Sequence, residues 1–159
     1  MAIDSVTNDY NMFWTKKKKF FNDEEEKRIM ATIRTAEKAS SGEIRVYVET
    51  TCPDSVEKRT LEIFKKLKMH KTKERNGVLI YVAIENRKFA IFGDEGIHKK
   101  MGFSFWMTEA ATFKTFLSDD KIVEGVCQVV LDIGEVLKTH FPYQSDDKNE
   151  LPDKPVYGK

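Results

Sequence analysis

Cysteine is scarce in this sequence, with only Cys52 and Cys127 among 159 residues. Their separation fits neither a metal-binding spacing nor a disulfide framework, and lone thiols suit a reducing compartment. Long apolar runs are missing as well. No stretch approaches the ~20 residues that a membrane-spanning helix requires. The opening MAIDSVTNDYNMFW is polar and runs into Lys16–Lys19, without the apolar core of a secretory leader. These absences predict a soluble chain in the cytoplasm. Charge of one sign is lacking too: 27 Lys and Arg stand against 26 Asp and Glu, a formal net charge of +1. No global field draws the chain to nucleic acid or anionic lipid, so neither is expected as a partner.

Several catalytic signatures are absent from the sequence. There is no phosphate-binding G-x-x-x-x-G-K-[ST] loop, no G-x-G-x-x-G, no H-E-x-x-H and no G-x-S-x-G. There is no Asp-x-Asp pair of the aspartyl-phosphate type and no EF-hand loop. His70, His98 and His140 are scattered. A cysteine phosphatase would need Cys and Arg around a five-residue amide cradle. Here six residues separate Cys52 from Arg59, and Pro53 removes one amide from the cradle. No catalytic residue can be assigned on these grounds.

What is present is a globular composition, 40% hydrophobic and 33% charged, on a chain long enough for one domain with a real core. Residues 1–19 read as a polar and basic arm, with Met12, Phe13 and Trp14 free to dock. Asn22 or Asp23 can cap a helix whose first turn is acidic and whose apolar positions are Ile29, Ile33 and Ala36. Ser40-Ser41-Gly42 ends it. Glu43–Glu49 then alternates as a strand, Ile44, Val46 and Val48 on one face, Arg45 and Tyr47 on the other. A helix over 55–69 follows, capped by Asp54 or Ser55, with Leu61, Phe64 and Leu67 expected inward. Val78–Ile84 is apolar on both faces and predicts a central strand; Glu85-Asn86-Arg87 turns it into a hairpin with Lys88–Phe92. Two helices complete the core, one bearing Phe105, Trp106, Ala110, Phe113 and Leu117. The other bears Ile122, Val126, Val129, Ile133 and Leu137 behind an Asp119-Asp120 cap. Residues 20–142 thus form one α/β domain, a three-layer α/β/α sandwich with a small mixed sheet flanked by helices. Residues 143–159, polar with two prolines, read as an irregular tail.

This topology gathers chemistry at one end of the sheet. The two parallel strands begin where the hairpin ends, so Ser41, Glu43, Asn76, Asp94 and Glu95 converge from three loops, with Arg75 nearby. Carboxylates, an amide and backbone carbonyls suit a hard cation, Ca²⁺ or Mg²⁺. Asp94 and Glu95 equally suit the start of a helical turn facing water. The opposite end of the sheet holds Thr50, Thr51, Asp54 and the Glu85-Asn86-Arg87 turn.

The ordered set Ser41–Val48, Asn76–Ala83, Arg87–Ile91 and Gly93–Ile97 resembles the TPM domain family, over roughly Phe20 to Pro142. The resemblance implies an α/β/α sandwich, binding of a divalent cation in some members, and acid phosphatase activity in one plant member. It maps the family's acidic loop onto Asp94 and Glu95 and its strand-edge residues onto Glu43 and Asn76. Two functions follow as expectations. One is a monomeric, cation-binding interaction or regulatory module without strong catalysis, its basic arm and acidic tail available to a protein partner. The other is a metal-assisted phosphomonoester hydrolase, with Glu43 or Asp94 as general base.

Overall fold

Asn22 opens the first helix, α1 (Asp23–Glu37), through a reciprocal cap: its side chain accepts from the Glu25 amide at 2.8 Å, and its own amide donates to the Glu25 carboxylate at 2.9 Å. Four acids in the first turn complement the helix dipole. The computed structural model describes residues 20–143 and 154–158, so the expected arm at 1–19 lies outside the described residues. After α1 come β1 (Glu43–Glu49), α2 (Val56–Lys66), a short 3₁₀ turn (Met69–Lys71), β2 (Gly77–Ala83) and β3 (Lys88–Gly93). Then follow α3 (Glu95–Met101), α4 (Phe103–Ser118), α5 (Ile122–His140) and β4 (Val156–Tyr157).

The sheet runs β3-β2-β1-β4 and is mixed, as the sequence predicts. β1 and β2 are parallel, in register from Glu43 opposite Gly77 to Glu49 opposite Ala83, and β3 returns antiparallel along β2. One face of the sheet carries Ile44, Val46, Val78 and Ile80 against α1, α4 and α5. The other carries Tyr47, Leu79 and Tyr81 against Ile63 and Phe64 of α2 and Met69 of the 3₁₀ turn. These are the three expected layers. α1 and α5 approach closely because Gly134 lacks a side chain: a Cβ there would stand 2.6 Å from that of Ala36.

All seven residues of β1 are buried, and Tyr47 stacks on Tyr81 with ring centroids 6.2 Å apart. Three local expectations need correction. Leu61 does not point inward but is 44% exposed; Thr60, Ile63 and Phe64 hold that face, because a repeat of three drifts around a helix of 3.6 residues per turn. Asp120 does not cap α5. It takes a left-handed φ of 57° and pairs with Arg87 at 2.5 Å, and Lys121 stands at the N-cap. Finally, the segment 143–159 is not irregular throughout. Val156 and Tyr157 form β4 alongside Tyr47 and Val48. Tyr157 packs on Phe20 and Phe21, and its hydroxyl donates to Glu26. A two-residue strand between prolines and charges is too short for any periodic signal.

Glu109 of α4 lies at the α4–α5 seam, 5% exposed, with its Oε1 lacking a hydrogen-bond partner. Burial, and next the hydrogen bond and charge of Asp132 on α5, push its carboxyl from 4.5 up to about 8. Between those values the folded chain holds a proton that the unfolded chain has released. Stability from this group is therefore full below about 4.5, declines as pH rises between the two values and is lost once pH has passed about 8. Glu109→Gln keeps the shape and removes the ionisation. It is expected to match the wild type at low pH and exceed it in alkali by on the order of 2 kcal/mol. Urea denaturation of both proteins across this pH range checks it, and parallel pH profiles would refute it.

Candidate functional site

The register of the sheet fixes the site. Glu43 faces Gly77 across β1 and β2, and the Asp94 amide extends the hairpin by donating to the Gly77 carbonyl at 3.0 Å. Glu43, Asn76 and Asp94 therefore stand at one end of three neighbouring strands. Ser41 is held there by its amide, which donates to the Phe141 carbonyl at 2.9 Å.

Two polar groups form at this end. In the first, the Asn76 Nδ2 donates to Ser41 Oγ at 3.1 Å, and the Ser41 hydroxyl donates on to Glu74 Oε2 at 2.7 Å. Since serine passes its only proton to the carboxylate, the amide must present its nitrogen to serine. Asn76 Oδ1 is thereby aimed elsewhere. It is buried, in a residue 1% exposed, and has no hydrogen-bond partner. Such an orphaned acceptor costs about 1–3 kcal/mol and calls for a water or an ion.

In the second group, Arg75 grips Asp94 with two bonds, Nε to Oδ2 at 2.6 Å and Nη2 to Oδ1 at 2.9 Å. Its Nη1 lies 3.3 Å from Glu95. Asp94 is also the N-cap of α3, accepting from the Glu95 amide at 2.8 Å. The helix-start reading of these acids is thus realised, and the buried Asp94 carboxylate has its counter-ion. Asp94, first by hydrogen bond, raises the affinity of Arg75 for its proton. Arg75 itself takes a left-handed φ of 52° to make this reach. Gly96 lets the loop close: its amide donates to the Arg75 carbonyl at 2.8 Å, and a Cβ there would lie 2.1 Å from the Glu74 carbonyl oxygen.

Of the five residues picked from sequence, Ser41 and Asn76 are bonded to each other, and Asp94 and Glu95 share Arg75. Glu43 lies buried at the same strand end. Arg75, expected nearby, is the central ion of the second group. Glu74, which completes the Ser41–Asn76 group, was not among the expected residues; it sits two positions before Asn76 in the connector HKTKERNG, where proximity was the available signal. The donor set is hard oxygen throughout, which fits Ca²⁺ or Mg²⁺ in kind. In number it is sparse: among the described residues no three His, Cys, Asp or Glu side chains are grouped to hold a metal.

The other end of the sheet is closed. Arg59 donates to both oxygens of Glu49 at 2.8 Å, and the Tyr81 hydroxyl donates to Glu49 Oε2 at 2.5 Å. Burial, then the bond to Glu49, holds the Tyr81 hydroxyl protonated far above its usual range. Cys52 donates its amide to Asn86 Oδ1 at 2.6 Å and its thiol to the Asp54 carbonyl. Arg59 is committed to Glu49 and Glu62, so Cys52 and Arg59 form no phosphatase cradle.

The family model of the TPM domain matches residues 14–136. No curated protein matches the chain significantly. Among solved structures, the NMR structure of the BA42 protein from the psychrophilic bacterium Bizionia argentinensis is 40% identical. It covers 87% of this chain and 96% of its own, with a TM-score of 0.81. The N-terminal domain of a P. gingivalis protein is similar in fold at 17% identity and a TM-score of 0.65, covering 78% of this chain and 82% of its own. The N-terminal domain of cg2496 from Corynebacterium glutamicum also shares the fold, at 14% identity and a TM-score of 0.56, covering 86% of this chain and 80% of its own. No helix among the described residues is long and apolar enough to cross a membrane.

Gly96→Ala tests how tightly the site is built. The methyl group would strike backbone, which cannot swing aside, so a loss of about 2–3 kcal/mol is expected in chemical denaturation. Unchanged stability would show that the 74–76 loop and α3 are not held in this contact.

Proposed function

The chain belongs to the TPM domain family, and on that footing we propose that it is a divalent-cation-binding interaction module without strong catalysis. The carrying observation is Asn76 Oδ1, a buried acceptor with no partner, at the strand end shared by Glu74, Asp94 and Glu95. Ca²⁺ or Mg²⁺ would take this oxygen together with carboxylate oxygens from Glu74, Asp94 or Glu95, with Ser41 and Glu43 as neighbours. Arg75 is the internal competitor. A cation gains the Asp94 carboxylate only as the guanidinium, 41% exposed, swings out toward water. That competition places the affinity in the weak class, roughly 10⁻⁴–10⁻³ M.

The same acids would serve a metal-assisted phosphomonoester hydrolase. Both oxygens of Asp94 are occupied by Arg75, so it is poorly placed to accept a proton from water. This favours binding over turnover.

NMR titration with Ca²⁺ or Mg²⁺ tests the reading. Amides of 41–43, 74–77 and 93–97 are expected to shift at millimolar cation. Asp94→Asn should weaken binding about tenfold, and Arg75→Gln should tighten it by a similar factor, since it frees the two acids. Unmoved amides, or an Arg75→Gln protein no tighter than wild type, would end this assignment.

A further inference from the structure

The sheet has an open edge at β3. In an antiparallel pair, residues alternate between those that bond the partner strand and those whose backbone groups point away. The bond from the Asp94 amide to the Gly77 carbonyl sets the phase. With Leu79 opposite Phe92 and Tyr81 opposite Ala90, those two residues of β3 bond inward to β2. Phe89, Ile91 and Gly93 therefore present their amides and carbonyls outward. Proteins guard such edges with proline, bulges or charge. β3 (KFAIFG) has one lysine at its start and none of the others.

This edge is the floor of a groove of about 610 Å³. One wall is α2, with Glu57 and Leu61; the other is the α3–α4 corner, with Glu95, Phe103 and Trp106. Leu61 is 44% exposed and Phe103 69%, large apolar side chains held in water on facing walls. The lining includes Glu57, Asp94 and Glu95 but neither lysine nor arginine. Asp94 and Glu95 share the single charge of Arg75, so together with Glu57 the three acids still leave the rim net negative. A chain entering here meets backbone hydrogen-bond groups below, apolar surface on both sides and negative charge at the margin.

We propose that β3 is a peptide-docking edge: an extended segment of another protein, with apolar residues alternating and lysine or arginine beside them, adds to the sheet as a fifth strand. This is strand addition, in which main-chain bonds give affinity and side pockets choose alternate residues. Basic residues of the segment meet Glu57 and Glu95, while its apolar residues cover Leu61 and Phe103. The groove does not depend on a bound cation.

Random linear peptides displayed on phage and selected against the intact protein test this, in the presence of a chelator. Enriched sequences should be proline-poor, alternately apolar and richer in Lys and Arg than the starting library. A synthetic copy of the best one should bind at least about tenfold more weakly to Phe103→Glu and to Leu61→Glu. It should bind equally well to Leu131→Glu, whose exposed side chain lies on α5 away from the groove. Bound peptide should slow hydrogen exchange at Phe89, Ile91 and Gly93 far more than at Ala90 and Phe92. Circular dichroism confirms that each variant is folded. Three outcomes would overturn the proposal: no enrichment over selection on Phe103→Glu, binding that leaves those three amides unprotected, or protection that grows with protein concentration alone, which would make a second copy of this chain the occupant. Retained peptide binding in the chelator alongside a failed cation titration would sink only the cation reading.

Discussion

The parallel pairing of β1 with β2 is the constraint on which the rest of the molecule hangs. Seven consecutive pairs, buried on both faces, join Glu43–Glu49 to Gly77–Ala83. Strands sealed from water on both sides must satisfy their backbone from neighbouring strands, so the register cannot slip without stranding polar groups or moving every side chain to the opposite layer. The polar groups at both ends of the sheet are placed by that register. Its beginning gathers Ser41, Glu43, Asn76 and Asp94, and its end brings Glu49 to Arg59 and Tyr81.

The two ends use similar groups to opposite effect. At the far end a buried carboxylate is saturated by a bidentate arginine and a tyrosine hydroxyl, and its arginine is only 8% exposed. Breaking such a pair leaves an uncompensated charge indoors, so the arrangement is locked. At the near end the arginine is 41% exposed and holds a carboxylate that is 6% exposed. There the guanidinium already reaches water, so it can leave without being drawn out of the core, provided that another cation takes its place at the buried carboxylate; an unsatisfied amide oxygen lies on the neighbouring strand end. The near end is thus the more open of the two.

Much of this was legible in the sequence. The doubly apolar run of β2, the alternation of β1, the acidic start of α1 and the stripe along α5 each specify their element by spacing and composition, and together they leave few topologies. The convergence of Ser41, Glu43, Asn76, Asp94 and Glu95 followed from strand direction alone. What stayed hidden depended on side-chain direction. Arg75 and Glu74 differ from other residues of the polar connector only in where the loop aims them, and Gly96 sets that aim by admitting backbone contact. Leu61 looked like core because leucine usually is; its exposure reflects a turn of α2 that brings Thr60 and Ile63 inward instead. Val156 and Tyr157 gave no signal, since their strand exists only through contacts with β1 and the start of α1.

That last strand has a kinetic consequence. Residues 50–76 join β1 to β2 and residues 84–87 join β2 to β3, whereas β4 must come from beyond α5 to reach Tyr47 and Val48. Contacts of long sequence separation must close a longer loop before they are rewarded, and they tend to form late. The outer edge of β1 is therefore the last part of the sheet to be covered, and for a nascent chain it stays bare until Tyr157 has left the ribosome and settled beside Phe21 and Glu26.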